Sequence, residues 1–563
     1  MSILYVHLSW FFFSCSMLFF FLLISLYLSY SYSVITFSLP LFTSWFNNME
    51  VSFTMDWMSS WFATVIILIT MVITVYSYNY MAPYSKPTYF LWFTMLFVMS
   101  MILVVLMSDL FFIMLGWDGL GVVSFFLIVY YQNQSSITSG LFTLLMNRLG
   151  DAFFLVTLAI FYITSCGYTN VVLFLLDDMA CLFLLLTFMT KSAIYPFSPW
   201  LPMAMAAPTP ISALVHSSTL VTSGLYLMMR FSLYLYGSSS IMMVMVVLCL
   251  FTSFYAGMNT LFERDLKKLI ALSTLSHLGF IGLSFSLGLL HLAYFHMLTH
   301  ALFKSLLFMT MGDIMINLSH SQDIRYLSSG ASYTPFSVFI MQVSLLNLLG
   351  LPSLSGYFSK DLVLEYMYYS NQSVFMVIVL LINVFFTYYY TYQLYYFSYQ
   401  SNKLLPYMNF HSPLAIHAML LFLMAVVGIL FGHFYLSSIS VDTLYVSVPY
   451  VFKIYPISLS SLMFLSLWVF LHQFTLRSKY ISAYFSSMMF LSNFMMTLAA
   501  KSNFALSASV IKSGEHGLFN YVMNSSLSNF TGLVASRTLG LSSQFPSYIV
   551  ILSALSVLSV FYL

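Results

Sequence analysis

Charge is what this chain almost lacks. Only 6% of its 563 residues are Asp, Glu, Lys or Arg, against about 25% in soluble domains, which excludes an ordinary water-soluble fold. A net charge of +2 gives no basic surface for nucleic acid. The four cysteines, Cys15, Cys166, Cys181 and Cys249, are scattered without a CxxC pair. That removes a disulfide framework and an iron–sulfur site from consideration. No glycine-rich fingerprint is present, so the chain is not expected to bind a dinucleotide itself. The N-terminal stretch MSILYVHLSWFFFSCSMLFFFLLISLYL has no basic n-region, cleavage site or Arg-rich transit pattern, and it reads as a retained first helix.

What is present is apolar: 61% of residues are hydrophobic. Runs of about 20 such residues recur along the chain, the length of a membrane-crossing helix. They are continuous rather than alternating, which excludes a β-barrel. The expected fold class is therefore an all-α polytopic membrane protein with about fifteen spans. These are 8–31, 57–80, 87–107, 109–131, 137–165, 171–198, 208–236, 239–260, 266–288, 290–317, 333–358, 372–399, 413–435, 455–476 and 546–563. A further apolar stretch, 482–500, lies between basic residues. Residues 32–56 are polar and strand-like, as in a surface hairpin. Residues 501–545 are polar and Ser-rich, compatible with a loop or with a helix lying along the membrane. The wealth of Met, Phe and Tyr (39, 58 and 42 residues) fits an AT-rich organelle genome.

Two spans are interrupted by Pro and Gly next to a lysine: TKSAIYPFSPWLP (190–202) with Lys191, and GLPSLSGYFSKD (350–361) with Lys360 and Asp361. Broken helices of this kind mark ion pathways in transporters. Other ionisable groups lie deep in spans: Asp118, Arg148, Asp151, His216, His296, His300 and Lys304. An ionised group at the bilayer centre costs about 3 kcal/mol on insertion scales, so convergence on one polar axis is the economical arrangement. His296, His300 and Lys304 are spaced i, i+4 and i+8, each step turning about 40° on a helix, so they share one stripe. His and a desolvated Lys can exchange protons, whereas Arg cannot. Arg148 and Arg230 are therefore expected in structural or field-shaping roles, and Arg148–Asp151 as an i, i+3 ion pair. Paired histidines also suit metal or haem. However, Lys304 one turn on would repel a metal, and His216 alone is available as a matched haem partner. His277 and His291, near helix ends, are expected to be solvated or to pack.

The motifs GWDGLG (116–121), NRLGD (147–151), TKSA (190–193), PWLPMAMAAPTPISALVHSSTLV (199–221), DLKKLIALSTLSHLG (265–279), HMLTHALFKSLLFM (296–309) and GLPSLSGYFSKD (350–361) occur in order over roughly 109–365. Together they resemble the proton-pumping antiporter-like subunits of respiratory complex I. The resemblance implies inverted repeats in an antiporter-like core. It divides the chain into N-terminal helices and hairpin (1–86), translocating core (87–400), additional C-terminal helices (401–500), a lateral helix (501–545) and an anchor helix (546–563). It implies that Asp118 pairs with Lys191 and that His216, His296, His300 and Lys304 form the central relay. Lys360 then lies near the proton exit, with Arg148, Asp151, Lys268 and Asp361 in support. Asp118 stands where many relatives have Glu, and His277 where Gln is common.

The resemblance further implies no redox cofactor in this chain, with NADH, FMN, iron–sulfur clusters and ubiquinone held by other subunits. Expected partners are other membrane-arm subunits, including subunit 4 and accessory subunits, and lipids such as cardiolipin. The expected location is the mitochondrial inner membrane. A multisubunit sodium/proton antiporter shares these motifs, and a structural clamp is a further alternative.

Overall fold

The computed structural model describes residues 2–43, 48–83, 86–164, 178–318, 320–329, 334–369, 374–399 and 415–438, with isolated residues between 484 and 507. The chain divides into a compact unit, residues 1–489, and a second one, residues 490–563. The expected spans 455–476 and 546–563 and the lateral segment 501–545 lie outside the described residues, apart from Ser507.

The apolar runs fold as helices, because in hydrocarbon each backbone N–H and C=O must be paired within its own segment. The helices of eight or more residues are α1 (Ser2–Ser31), α2 (Trp57–Tyr80), α3 (Pro87–Leu106), α4 (Leu110–Ile128), α5 (Gln134–Thr164) and α6 (Asp178–Lys191). They continue with α7 (Thr209–Arg230), α8 (Ser239–Thr260), α9 (Leu266–Ser286), α10 (Leu290–Asn317), α11 (Pro335–Leu349), α12 (Leu362–Tyr369), α13 (Val374–Tyr399) and α14 (Ala415–Ser438). Among the described residues, 11 helices are long and apolar enough to cross a membrane. Burial ranks them: an 18-residue stretch of α7 and one of α10 are wholly buried, whereas only 22% of the corresponding stretch of α1 is. The charged stripe of α10 therefore runs through the centre of the bundle, and α1, exposing Phe12, Phe19, Phe20 and Tyr27, lies at its rim.

The described residues of the 32–56 stretch pair as expected of a hairpin. β1 (Ile35–Thr43) and β2 (Asn48–Met55) run antiparallel with Ile35 opposite Met55, and the register shifts between Pro40 and Phe42. Proline has no N–H for the ladder, which suits it to such an irregularity. The hairpin is tied to the bundle. Ser52 N–H donates to Asp109 Oδ2 at 3.1 Å, and Asp56 pairs with Arg230 at 2.9 Å. Arg230 also donates to Thr54 and to the Tyr226 hydroxyl.

Three interruptions place polar groups in the core. α6 stops at Lys191, where the chain turns through Ala193, with φ +55°, and Pro196. The indole N–H of Trp200 then donates to the Thr190 carbonyl at 2.9 Å, satisfying an acceptor that the break frees. α11 ends at Gly350 with φ +84°, a left-handed conformation that glycine adopts without a Cβ penalty. The chain resumes in a π-helical turn, Tyr357–Asp361, that leads into α12. The third interruption was not expected from the sequence: Ser212–Thr219 of α7 is π-helical, with His216 inside it. Hydroxyls take up loosened carbonyls there, Ser218 and Thr219 both donating to the Leu214 carbonyl at 3.1 and 2.7 Å.

Candidate functional site

Most of the ionisable groups picked out in the spans fall into two clusters. The first lies where α4, α5 and α6 meet. Lys191 is fully buried, donates to the Trp117 carbonyl and sits 3.8 Å from the centre of the Trp117 ring, a cation–π geometry. Asp118 makes no direct contact ion pair with Lys191, although it lies within electrostatic reach of it. Its carboxylate faces Arg148 at 3.7 Å instead, and both side chains are substantially exposed, 36% and 44%. The cause is helix phase: Trp117 occupies the face of α4 that meets Lys191, and the next residue is turned about 100° away. Arg148 also holds the buried Asp151 at 3.2 Å, the expected i, i+3 pair. Asp151 is within electrostatic reach of Lys191.

The second cluster is larger and fully enclosed. α10 brings His296, His300 and Lys304 to one face, as their spacing requires, and all three are buried. Lys304 donates to Ser273 Oγ of α9 at 2.6 Å and lies 5.2 Å from the Tyr390 ring centre. His296 Nδ1 meets Ser359 Oγ at 3.0 Å, beside Lys360 on the second broken element. Lys360 donates to Thr387 Oγ1 of α13 at 3.0 Å, and Asp361 beside it is also buried. His300 lies between its neighbours by ring contact, 5.4 Å from His277 and 6.5 Å from His296.

His277 corrects the expectation of a solvated or packing residue. It is buried in this cluster, with Nδ1 3.4 Å from His296 Nε2 and Nε2 3.1 Å from the Tyr390 hydroxyl. Its position midway along α9, opposite α10 and α13, places it there. The position of His277 in the chain gave only its nearness to a helix end, and its replacement of a common Gln was the one available signal. Tyr390 was missed altogether within the run TYYYTY. His291, by contrast, is exposed and stacks on Trp57 at 5.3 Å.

Lys268, expected in support, lies at the surface in an i, i+3 pair with Asp265 at 3.0 Å. Its neighbour Lys267 is the buried one, donating to the Ala207 carbonyl at 3.1 Å. His216 lies on the side of the first cluster by way of Trp200, whose ring lies 6.1 Å from it and whose N–H binds the residue before Lys191. Among the described residues no group of three or more His, Cys, Asp and Glu is arranged to hold a metal ion.

The hydrogen bonds of the second cluster make a directional chain: Tyr390 O–H, His277, His296, Ser359 O–H. A neutral imidazole donates at one nitrogen and accepts at the other, and a hydroxyl does both. If Tyr390 donates to His277 Nε2, His277 must donate from Nδ1 to His296 Nε2, and His296 from Nδ1 to Ser359. Reversing every proton gives the opposite polarity at the same heavy-atom positions. Such a chain can pass a proton along its length by successive hops, with Lys304 over one end and Lys360 beside the other.

The fold and site define a multi-pass membrane protein of the antiporter-like class. The family described as NADH:quinone oxidoreductase/Mrp antiporter, TM, matches residues 107–387. The chain is 41% identical over 436 residues to NADH-ubiquinone oxidoreductase chain 5 of Anopheles quadrimaculatus, covering 74% of this chain and 75% of that protein. Identity to the chain 5 protein of Anopheles arabiensis is 45%, covering 58% and 86%. Against that of Aedes aegypti it is 43%, covering 62% and 61%. A chain from the solved structure of the Mrp complex of Dietzia sp. DQ12-45-1b shares the fold with a TM-score of 0.71. It is 21% identical, over 93% of this chain and 59% of that one. The chain belongs to the NADH-ubiquinone oxidoreductase chain 5 family.

Proposed function

We propose that this chain is a proton-translocating membrane subunit of an NADH:ubiquinone oxidoreductase in the mitochondrial inner membrane, with residues 87–400 as its conducting core. The observation that supports this reading is the continuous line Tyr390–His277–His296–Ser359 between the buried amines of Lys304 and Lys360. Lys191, with Asp151, Arg148 and Asp118 around it, serves as the charge-sensing end. Electron transfer elsewhere changes the field there, and the Arg148 guanidinium, shared between Asp118 and Asp151, sets how much negative charge Lys191 meets. His216 and Trp200 connect that end to the relay. NADH, FMN, iron–sulfur clusters and ubiquinone belong to other subunits, and the partners are membrane-arm subunits and lipid. The segment 501–545, as a lateral helix, would brace them, with 546–563 as its anchor.

The fold shared with the Mrp complex favours a second reading, a large subunit of a multisubunit sodium/proton antiporter. Co-purification with flavin and iron–sulfur subunits separates the two. The function is tested by replacing Lys304 or Lys360 with Met in the assembled complex. Fewer protons moved per electron is the expected result, and unchanged stoichiometry at full activity refutes it.

A further inference from the structure

The C-terminal end of α10 carries another set of ionisable groups that the relay does not use. Asp313 lies nine residues beyond Lys304, a rise of about 13.5 Å and a turn of about 180° that puts it on the opposite face of α10, and is 12% exposed. His417 of α14 is buried against it, with Nδ1 3.7 Å from Asp313 Oδ2. Neither His417 ring nitrogen makes a hydrogen bond of ordinary length among the described residues. Tyr76 of α2 stacks on His417 with ring centroids 5.2 Å apart, and its hydroxyl meets Thr209 Oγ1 at 3.0 Å, at the start of the helix that carries His216. Gly312 allows that approach: a Cβ there would fall on the Tyr76 hydroxyl and lie 2.8 Å from Thr209 Oγ1. Ring contacts continue outward from Tyr76 to Tyr80 at 5.8 Å, and from Tyr80 to the exposed His320 at 6.3 Å. Lys267, bound to the carbonyl of Ala207 two residues before Thr209, adds a cation beside the same group.

We propose that Asp313 and His417 form a second proton-binding station, lying between the surface at the C-terminal end of α10 and the Tyr76–Thr209 contact at the start of α7. The inference rests on the proton-conducting role proposed above. A carboxyl and an imidazole facing each other can hold no, one or two exchangeable protons. With one proton bound, transfer breaks the His417 Nδ1–H bond and forms an Asp313 O–H bond, converting an ion pair to a neutral pair with no net charge moved. A closure of roughly 1 Å brings the two atoms to ordinary hydrogen-bond length. Uptake from the His320 side then loads the pair, and release by way of Tyr76 and Thr209 toward the helix of His216 empties it. A purely structural ion pair would leave the carboxylate permanently ionised.

The test compares Asp313→Asn, Asp313→Glu and Lys304→Met in the assembled complex, each normalised to the amount assembled. Asp313→Asn is expected to lower the protons moved per electron at least twofold, with Asp313→Glu restoring most of the loss. Pumping by Asp313→Asn equal to the parent, while Lys304→Met pumps less, overturns the station and leaves the relay standing. Parental pumping by Lys304→Met overturns the relay, and the station with it. If Asp313→Asn does not assemble, the native complex is treated with a hydrophobic carbodiimide. A protonated carboxyl oxygen adds to the carbodiimide carbon and its proton passes to nitrogen, leaving an adduct with nothing released. An adduct on Asp313 whose yield falls as pH rises is expected, and its absence at every pH overturns the proposal.

Discussion

Replacing Tyr390 with Phe removes one oxygen from the relay and leaves nearly all else in place. The ring stays, so the cationic contact with Lys304 at 5.2 Å persists and the packing of α13 is kept. What is lost is the partner of His277 Nε2, 3.1 Å away. His277 is enclosed by protein, and its other nitrogen is already committed to His296. Leaving such a buried group unsatisfied costs about 1–3 kcal/mol. When that cost falls on the proton-carrying arrangement, it slows transfer by about 5- to 150-fold, at 1.36 kcal/mol per factor of ten. The assay is NADH-driven acidification of vesicles containing the assembled complex, read with a pH-sensitive dye, beside NADH oxidation by uncoupled membranes. Acidification should fall by at least fivefold with assembly and thermal stability near parental. A Tyr390→Phe complex that pumps within twofold of the parent would refute the idea that the phenol is part of the path.

Three further outcomes follow from the frame around the site. Arg230→Met leaves Asp56 without its partner at the joint between hairpin and bundle; because both side chains are only partly exposed, a loss of about 1–3 kcal/mol is expected, read as a lower melting temperature in detergent. Gly350→Ala puts a side chain on a residue with φ +84°, its Cβ 3.2 Å from Asp361 Oδ1, and should cost about 1–3 kcal/mol by the same measurement. Glu263, in the loop before α9, has its pKa pushed up by burial to about 7 from its ordinary 4.5, with Asp265 adding to the rise and Lys268 opposing it. A raised pKa means that the fold prefers the protonated form. The stabilisation is complete below about 4.5 and is lost as pH climbs through 7, so Glu263→Gln should flatten the pH dependence of melting between those values.

Much of this was open to inference because lipid punishes polarity. A lysine or histidine inside a run of twenty apolar residues must have a reason, and the spacing of His296, His300 and Lys304 fixed their common face. The two broken helices were visible because Pro and Gly interrupt hydrogen bonding wherever they stand, and the hairpin because its residues depart from the surrounding hydropathy. What could not be inferred depends on rotation about helix axes. Asp118 turns toward Arg148, because Trp117 takes the place beside Lys191. Lys267 is buried and Lys268 is not, a distinction of one residue that an apolar helix with no clear polar face does not announce. Tyr390 and His277 acquire meaning only when α13 and α9 come together. Asp313 and His417 are a hundred residues apart, and neither has an ionisable neighbour nearby in the sequence to mark it.

The π-helical turn around His216 has a consequence for how this region can change over generations. It contains about one residue more than an α-helix of the same length would need. Deleting a single codon within 212–219 would therefore convert the turn to ordinary helix and leave the segments on both sides close to their present azimuth. The same deletion in the middle of α10 would carry a whole row of charged groups off its axis. Length variation at this point is absorbed by the turn itself, so that the surroundings of His216 can change without rebuilding the bundle.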